Sequence, residues 1–260
     1  MEVGGAEVQL AALAERLPRQ DYDPTVVVFY SGGGLESRLA TADVPILSVR
    51  KSGRWDNLGF ASRLIRLLRS LEPAVVHSYL GPSNVFSAAV RTFLPKTRLI
   101  WGIRASDMEL DLYDWTWRFT FAAERMLSNF PDIIVSNSHA GRDHVVRHGF
   151  PPDRITVIPN GIDTVRFRPD PSIGRELRQT WLRNGDKFLV ALPARLDPMK
   201  DHVTLLRAAA ILRSEGLAVR FVCVGNSQKV HERNLVKQAM ELGLEDSVLW
   251  IGHHQNMNAV

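Results

Sequence analysis

Two cations stand where an apolar run should hand over to a helix. In FLVALPARLDPMKDHVTLLRAAAIL, residues 188–212, the run ends at Pro193, Ala194 and Arg195. A turn with Asp197 and Pro198 follows, and Lys200 precedes a helical pattern that opens on Asp201, its expected N-cap. The carboxyl end of a strand, beside a helix N-terminus, is where open α/β sheets bind ligands. An arginine there can grip a diphosphate through its planar fork, and a lysine adds a point charge. The same spacing suits two solvated loop cations, one paired with Asp197, and the local pattern leaves both readings open.

Other apolar runs end in polar residues of the same kind. VVHSYLGPSN (75–84) places His77 at a strand end, where a lone histidine is also readily structural. WGIRASDMEL (101–110) places Arg104, Ser106 and Asp107 at another, and VSNSHAGRDHVV (135–146) gives Asn137 with Ser138 as a helix cap. VGNSQ (224–228) carries Gly225, which either brings backbone N–H groups to a ligand or makes an ordinary tight turn. VIPNGIDTVRF (157–167) supplies turn chemistry at Asn160 and Gly161. No alternating strand follows, so it reads as a hinge and not a hairpin. Gly4 and Gly5 open a helical pattern and let the backbone approach a ligand, although no strand precedes them. SGGG (31–34) matches no phosphate-loop spacing and reads as a flexible turn. His231, His253 and His254 lack metal-ligand spacing, so no metal and no cofactor are expected.

Positioning these residues requires alternating strands and helices. Short, continuous, β-branched runs at 25–30, 46–49, 74–77, 98–103, 132–137 and 155–159 alternate with helical patterns at 5–17, 57–71, 83–93, 114–128 and 138–148. That is how a parallel sheet covered on both faces reads. After the irregular stretch 160–172 the alternation resumes, with helices at 172–184, 201–215 and 229–242 and strands at 188–193, 219–224 and 247–251. The expected division is a first domain over 1–168 and a partial second domain over 169–260. The 260 residues are 45% hydrophobic and 23% charged with a net charge of +4, and no block of like charges points to nucleic acid. The one cysteine, Cys223, reads as a small buried strand residue and excludes an internal disulfide framework. With no signal peptide and no apolar run of the roughly 18 residues that span a bilayer, a cytoplasmic protein is expected, at most resting on a membrane.

Taken in order, GGAE, VVHSYL, WGIRASD, the VSNSHAGRDHVVRHGFPPDRITVIPNGIDTVRFRP run and ARLDPMKDHVTLLRAA resemble family 4 of the retaining glycosyltransferases. The resemblance covers nearly the whole chain, and VIPNGID…FRP followed by RLDPMKD…LL is its specific part. It implies the two-domain GT-B fold, with two Rossmann-like α/β domains. It also implies transfer of a sugar, with retention, from a nucleoside diphosphate sugar to a glycan or lipid-linked acceptor, as in polysaccharide synthesis. Arg195 and Lys200 would hold the diphosphate in place of a metal, and Gly4 and Gly5 would lie near sugar and acceptor. His77 would lie close to the transferred sugar as the catalytic-site histidine, with Arg104, Asn137, Asn160 and Gly225 facing the cleft. The family has a strand before the glycine pair, and further strands and a Glu–x7–Glu segment after the point where this sequence stops. The expectation is therefore an inactive fragment, its first domain lacking the initial strand and its second incomplete. Nucleotide-sugar 2-epimerases share the fold but lack the NGID…RLDPMKD run, and glycogen-type phosphorylases need a cofactor lysine and a far longer chain. A non-catalytic nucleotide- or partner-binding module and a damaged gene without folded product are the remaining alternatives.

Overall fold

The computed structural model describes residues 4–53, 55–104, 115–183, 185–226, 229–254, 256–257 and 260. The chain forms two compact units, Met1–Gly161 and Ile162–Val260.

The first unit runs α1 (Gly5–Arg16), β1 (Val26–Val28), α2 (Glu36–Thr41), β2 (Ile46–Ser48), α3 (Asn57–Leu71), β3 (Val75–Tyr79) and α4 (Gly81–Arg91). It continues with β4 (Arg98–Ile103), α5 (Trp115–Leu127), β5 (Ile133–Ser136), α6 (His139–Arg147) and β6 (Ile155–Val157). All pairings are parallel: β1 with β2, and β3–β4–β5–β6 in that order. No ladder joins β1 to β3 among the described residues. Instead Phe29, Phe60 and Phe86 pack edge to face, with Phe29 and Phe60 centroids 4.4 Å apart, in a cluster that also holds Val27 and Val76. A second cluster buries Trp101, Ile134, Val145 and Phe150 under the four-stranded sheet.

The second unit runs α7 (Pro171–Trp181), β7 (Phe188–Pro193), α8 (His202–Ser214), β8 (Val219–Val224), α9 (Lys229–Glu241) and β9 (Val248–Ile251), with parallel order β7–β8–β9. Asp170 caps α7, its Oδ1 accepting from Ser172 N at 3.1 Å and Ile173 N at 3.3 Å. Cys223 is buried in β8, and burial pushes its thiol up to about 12.

Two elements differ from expectation. SGGG is no loose turn: the N–H groups of Gly32 and Gly33 both donate to Glu36 Oε1, at 2.7 and 3.1 Å, and open α2, a helix absent from the expected elements. The bond from Gly33, then that from Gly32, hold the Glu36 carboxyl below its usual range. Strand β3 continues to Tyr79, so His77 lies within the strand, opposite Ile100, and not at its end. The chain then turns sharply at Leu80, with φ of +73°, into α4.

A buried polar network ties that turn to α5. Asn84 Nδ2 donates to Glu124 Oε1 at 2.7 Å, Ser78 Oγ donates to Asn84 Oδ1 at 2.7 Å, and Trp101 Nε1 donates to Ser87 Oγ at 3.0 Å. Gly81 is required here, because a Cβ would stand 2.8 Å from Thr120 Cγ2 and 2.9 Å from Glu124 Oε2. Burial raises the Glu124 carboxyl to about 7, against the smaller opposing effect of the Asn84 bond. Glu124 therefore takes up a proton on folding, and the stability it contributes at low pH is lost as pH rises through about 7. The first unit should lose on the order of 2 kcal/mol between pH 5 and pH 8 through this group. Thermal midpoints across that range should show Glu124→Gln nearly flat. The same slope in variant and wild type would contradict the assignment.

Candidate functional site

Arg104, Asn137, Arg195 and Gly225 lie just past the carboxyl ends of β4, β5, β7 and β8, whereas His77 lies within β3 and the glycine pair opens α1. In the second unit, Arg195 follows β7 and stays in register with the chain leaving β8. Ala194 N donates to Val224 O at 2.9 Å, and Leu196 N donates to Asn226 O at 2.9 Å. Gly225 lies beneath this stretch, and a Cβ there would sit under 3.0 Å from the Ala194 carbonyl oxygen and carbon. Its own N–H donates to Ile251 O at 3.0 Å. Gly225 thus offers no N–H to a ligand; it lets the β8 exit approach the Arg195 backbone.

The Arg195 side chain is exposed, and its Nη2 donates to Asp197 Oδ2 at 2.9 Å. Asp197 also accepts from Met199 N at 3.1 Å and starts the short 3₁₀ turn Pro198–Lys200. Lys200 ends that turn with an exposed side chain. Asp201 caps α8 as expected, its Oδ1 accepting from Thr204 N at 3.2 Å. Beneath the turn His202 is buried, with neither ring nitrogen hydrogen-bonded. Burial first, then the positive charge of His231, pulls its imidazole below the ordinary value. Sequence reading passed over His202, because no chemistry-bearing spacing involves it.

In the first unit, His77 packs on Tyr79 at 4.5 Å between ring centroids, and the Arg104 guanidinium lies 4.5 Å over the Tyr79 ring. Arg104 Nη1 donates to Asn160 Oδ1 at 3.1 Å. Gly102 permits this crowding: a Cβ there would meet Ser78 O at 3.1 Å, Arg104 Nε at 3.3 Å and His77 Nε2 at 3.7 Å. Both of those nitrogens are buried without a hydrogen-bond partner. Burial, then the Arg104 charge, lowers His77 to about 4. A neutral imidazole at pH 7 can hydrogen-bond a sugar hydroxyl but supplies no positive charge to a phosphate. Tyr79 was not singled out from sequence, although it lies two residues after His77, on the same strand face.

The glycine pair opens α1 as the sequence suggested, and its two members differ. A Cβ on Gly4 would lie 2.5 Å from Glu7 Oε2, whereas the space over Gly5 is open within 4 Å. Asn137 is half-buried just beyond β5, next to Ser138, whose Oγ accepts from Gly141 N at 3.0 Å and caps α6. The structure brings His77, Arg104 and Asn160 together in one unit and Gly225 against the Arg195 backbone in the other, with Lys200 at the end of the turn that follows. Ser106 and Asp107 lie outside the described residues.

Residues 3–166 match the family model described as Glycosyltransferase Family 4, and residues 174–260 match that described as Glycosyl transferases group 1. Among curated proteins, a putative glycosyltransferase EpsF of Bacillus subtilis is 24% identical over 145 residues, covering 52% of this chain and 38% of the relative. A GDP-mannose-dependent alpha-(1-6)-phosphatidylinositol monomannoside mannosyltransferase of Mycobacterium tuberculosis is 30% identical over 128 residues, covering 49% of this chain and 32% of the relative. These matches thus span between 32% and 38% of the relatives' own length. A crystal structure of Anabaena HepE in complex with UDP and glucose superposes with a TM-score of 0.79 at 20% identity, over 98% of this chain and 68% of that one. That likeness, with the parallel sheets of both units, shows the GT-B fold.

The tightest constraint in the second unit is the packing under Arg195. Gly225→Ala should force the Ala194 peptide away and destabilise that unit by about 1–3 kcal/mol, the usual cost of overpacking. Amide exchange in β7 and β8 should show it; an unchanged pattern would contradict the close approach.

Proposed function

Because the chain belongs to Glycosyltransferase Family 4, we propose that the protein transfers a sugar, with retention, from a nucleoside diphosphate sugar to a glycan or lipid-linked acceptor. The observation that carries this is the pair of cations at the carboxyl end of β7, one on each side of Asp197 in sequence. Arg195 turns from Asp197 to the incoming diphosphate, and Lys200 supplies the second charge without a metal. As the bond from the anomeric carbon to the diphosphate oxygen breaks, its electron pair leaves with the diphosphate. The two cations stabilise that developing charge, usually a large part of such catalysis. The acceptor oxygen bonds to the anomeric carbon and gives up its proton, which the departing phosphate oxygen can take.

His77 acts as a neutral hydrogen-bonding group for the transferred sugar, while Gly5 offers open backbone to sugar or acceptor. Arg104, Asn137 and Asn160 face the same cleft, and Gly225 acts through the Arg195 backbone. The mannosyltransferase and the HepE complex support a nucleotide-sugar donor for this chain by analogy. The activity is proposed for the whole protein. A cytoplasmic protein in peripheral contact with the inner face of a membrane fits a lipid-linked acceptor. Trp115, Phe119 and Met126, 61%, 68% and 80% exposed, stand on one face of α5 and suit such a contact. No described helix is long and apolar enough to cross a membrane.

Calorimetry with UDP and GDP in the presence of EDTA tests the reading. Arg195→Ala and Lys200→Ala should each weaken binding about 10- to 100-fold, in line with lost charge-assisted contacts, and Asp197→Asn should strengthen it by freeing Arg195. Wild-type affinity in both alanine variants would sink the assignment. A non-catalytic nucleotide-binding module would instead bind normally, with the whole protein forming no glycoside.

A further inference from the structure

Gln9 stands one helical turn after Gly5, on the same face of α1. Its side-chain amide meets the Gly161 backbone twice. Nε2 donates to Gly161 O at 2.7 Å, and Gly161 N donates to Oε1 at 3.0 Å. This copies the exchange that two residues make across an antiparallel ladder, over a sequence separation of 152. The preceding residue, Asn160, accepts from Arg104 Nη1. Side chains from α1 and from the end of β4 therefore hold the last two residues of the first unit.

The segment needs such fastening. Ile158, Pro159, Asn160 and Gly161 are all exposed. Beyond Ile158 N, which donates to Ser136 O at 2.9 Å, no backbone–backbone hydrogen bond holds Pro159, Asn160 or Gly161 among the described residues. Ordering an exposed, extended segment costs conformational entropy that little burial offsets here. Gly161 itself has open space where a Cβ would stand, so the pairing uses its backbone and not its lack of a side chain.

We propose that Gln9 is a positioning residue for the first unit's site: by seating Gly161 on α1 it places Asn160, and Asn160 places the Arg104 guanidinium against Tyr79 and His77. The inference rests on the functional reading only in treating His77 and the glycine pair as one sugar-side surface. The helix that presents Gly5 and the strand that presents His77 are then held in register by one exposed dipeptide.

The test follows Gly161 amide exchange and the His77 ring resonances in the 260-residue chain. Gln9→Ala should speed Gly161 exchange about fivefold, the scale of a lost exposed hydrogen-bond pair, and shift the His77 resonances with the thermal midpoint unchanged. Gln9→Glu keeps the acceptor for Gly161 N but sets a carboxylate against Gly161 O, and should give an intermediate effect. Gly161→Ala should behave as wild type. Unchanged Gly161 exchange in Gln9→Ala overturns the proposal, as does faster exchange with His77 unmoved. If Gln9→Ala does not fold, Asn160→Ala decides: it should shift His77 while Gly161 stays protected, and an unmoved His77 overturns the positioning role. Neither readout involves nucleotide binding or sugar transfer, so failure here is separate from failure of the functional reading.

Discussion

In both units an arginine past the end of a strand depends on a glycine that keeps the space beneath it clear. Gly225 lets the chain leaving β8 press against the Ala194–Arg195 peptide, and Gly102 leaves the room in which Arg104 and His77 crowd together. Side chains of even one carbon would shift those backbones or guanidinium groups. Interiors this closely packed do not yield by small amounts. The parallel strands bring polar residues to one edge of each sheet; the glycines decide how closely they assemble there.

Burial then separates the two units chemically. Arg195 and Lys200 are exposed. His77 is drawn into a sheltered spot beside a fixed cation and stays neutral. The first unit thus holds a sheltered neutral imidazole beside the Arg104 guanidinium, whereas Arg195 and Lys200 of the second unit are exposed.

Much of this was legible in the sequence, for identifiable reasons. The bounds of β4, β7 and β8 follow directly from their apolar runs, since buried parallel strands are continuously hydrophobic. Asp201 and Ser138 declared their helices by capping chemistry. Helix α2 was missed because its six residues carry no full amphipathic period and a glycine run precedes it. Gly225 was read as a turn that brings N–H groups to a ligand or as an ordinary tight turn, whereas its N–H is engaged with β9 and its missing side chain makes room for the Ala194 peptide. The Gln9–Gly161 pairing and the Asn84–Glu124 bond join residues 152 and 40 positions apart, and no local pattern encodes such partners. Tyr79 was within reach, because alternation along a strand places it beside His77.

In the proposed function Arg195 and Lys200 receive the diphosphate of a nucleotide sugar. A crystal structure of the protein soaked with a nucleoside diphosphate tests it most directly. Arg195 should swing off Asp197 and, with Lys200, contact the diphosphate oxygens at the carboxyl end of β7, without an intervening metal ion. A diphosphate bound elsewhere, with Arg195 still paired to Asp197, would contradict it.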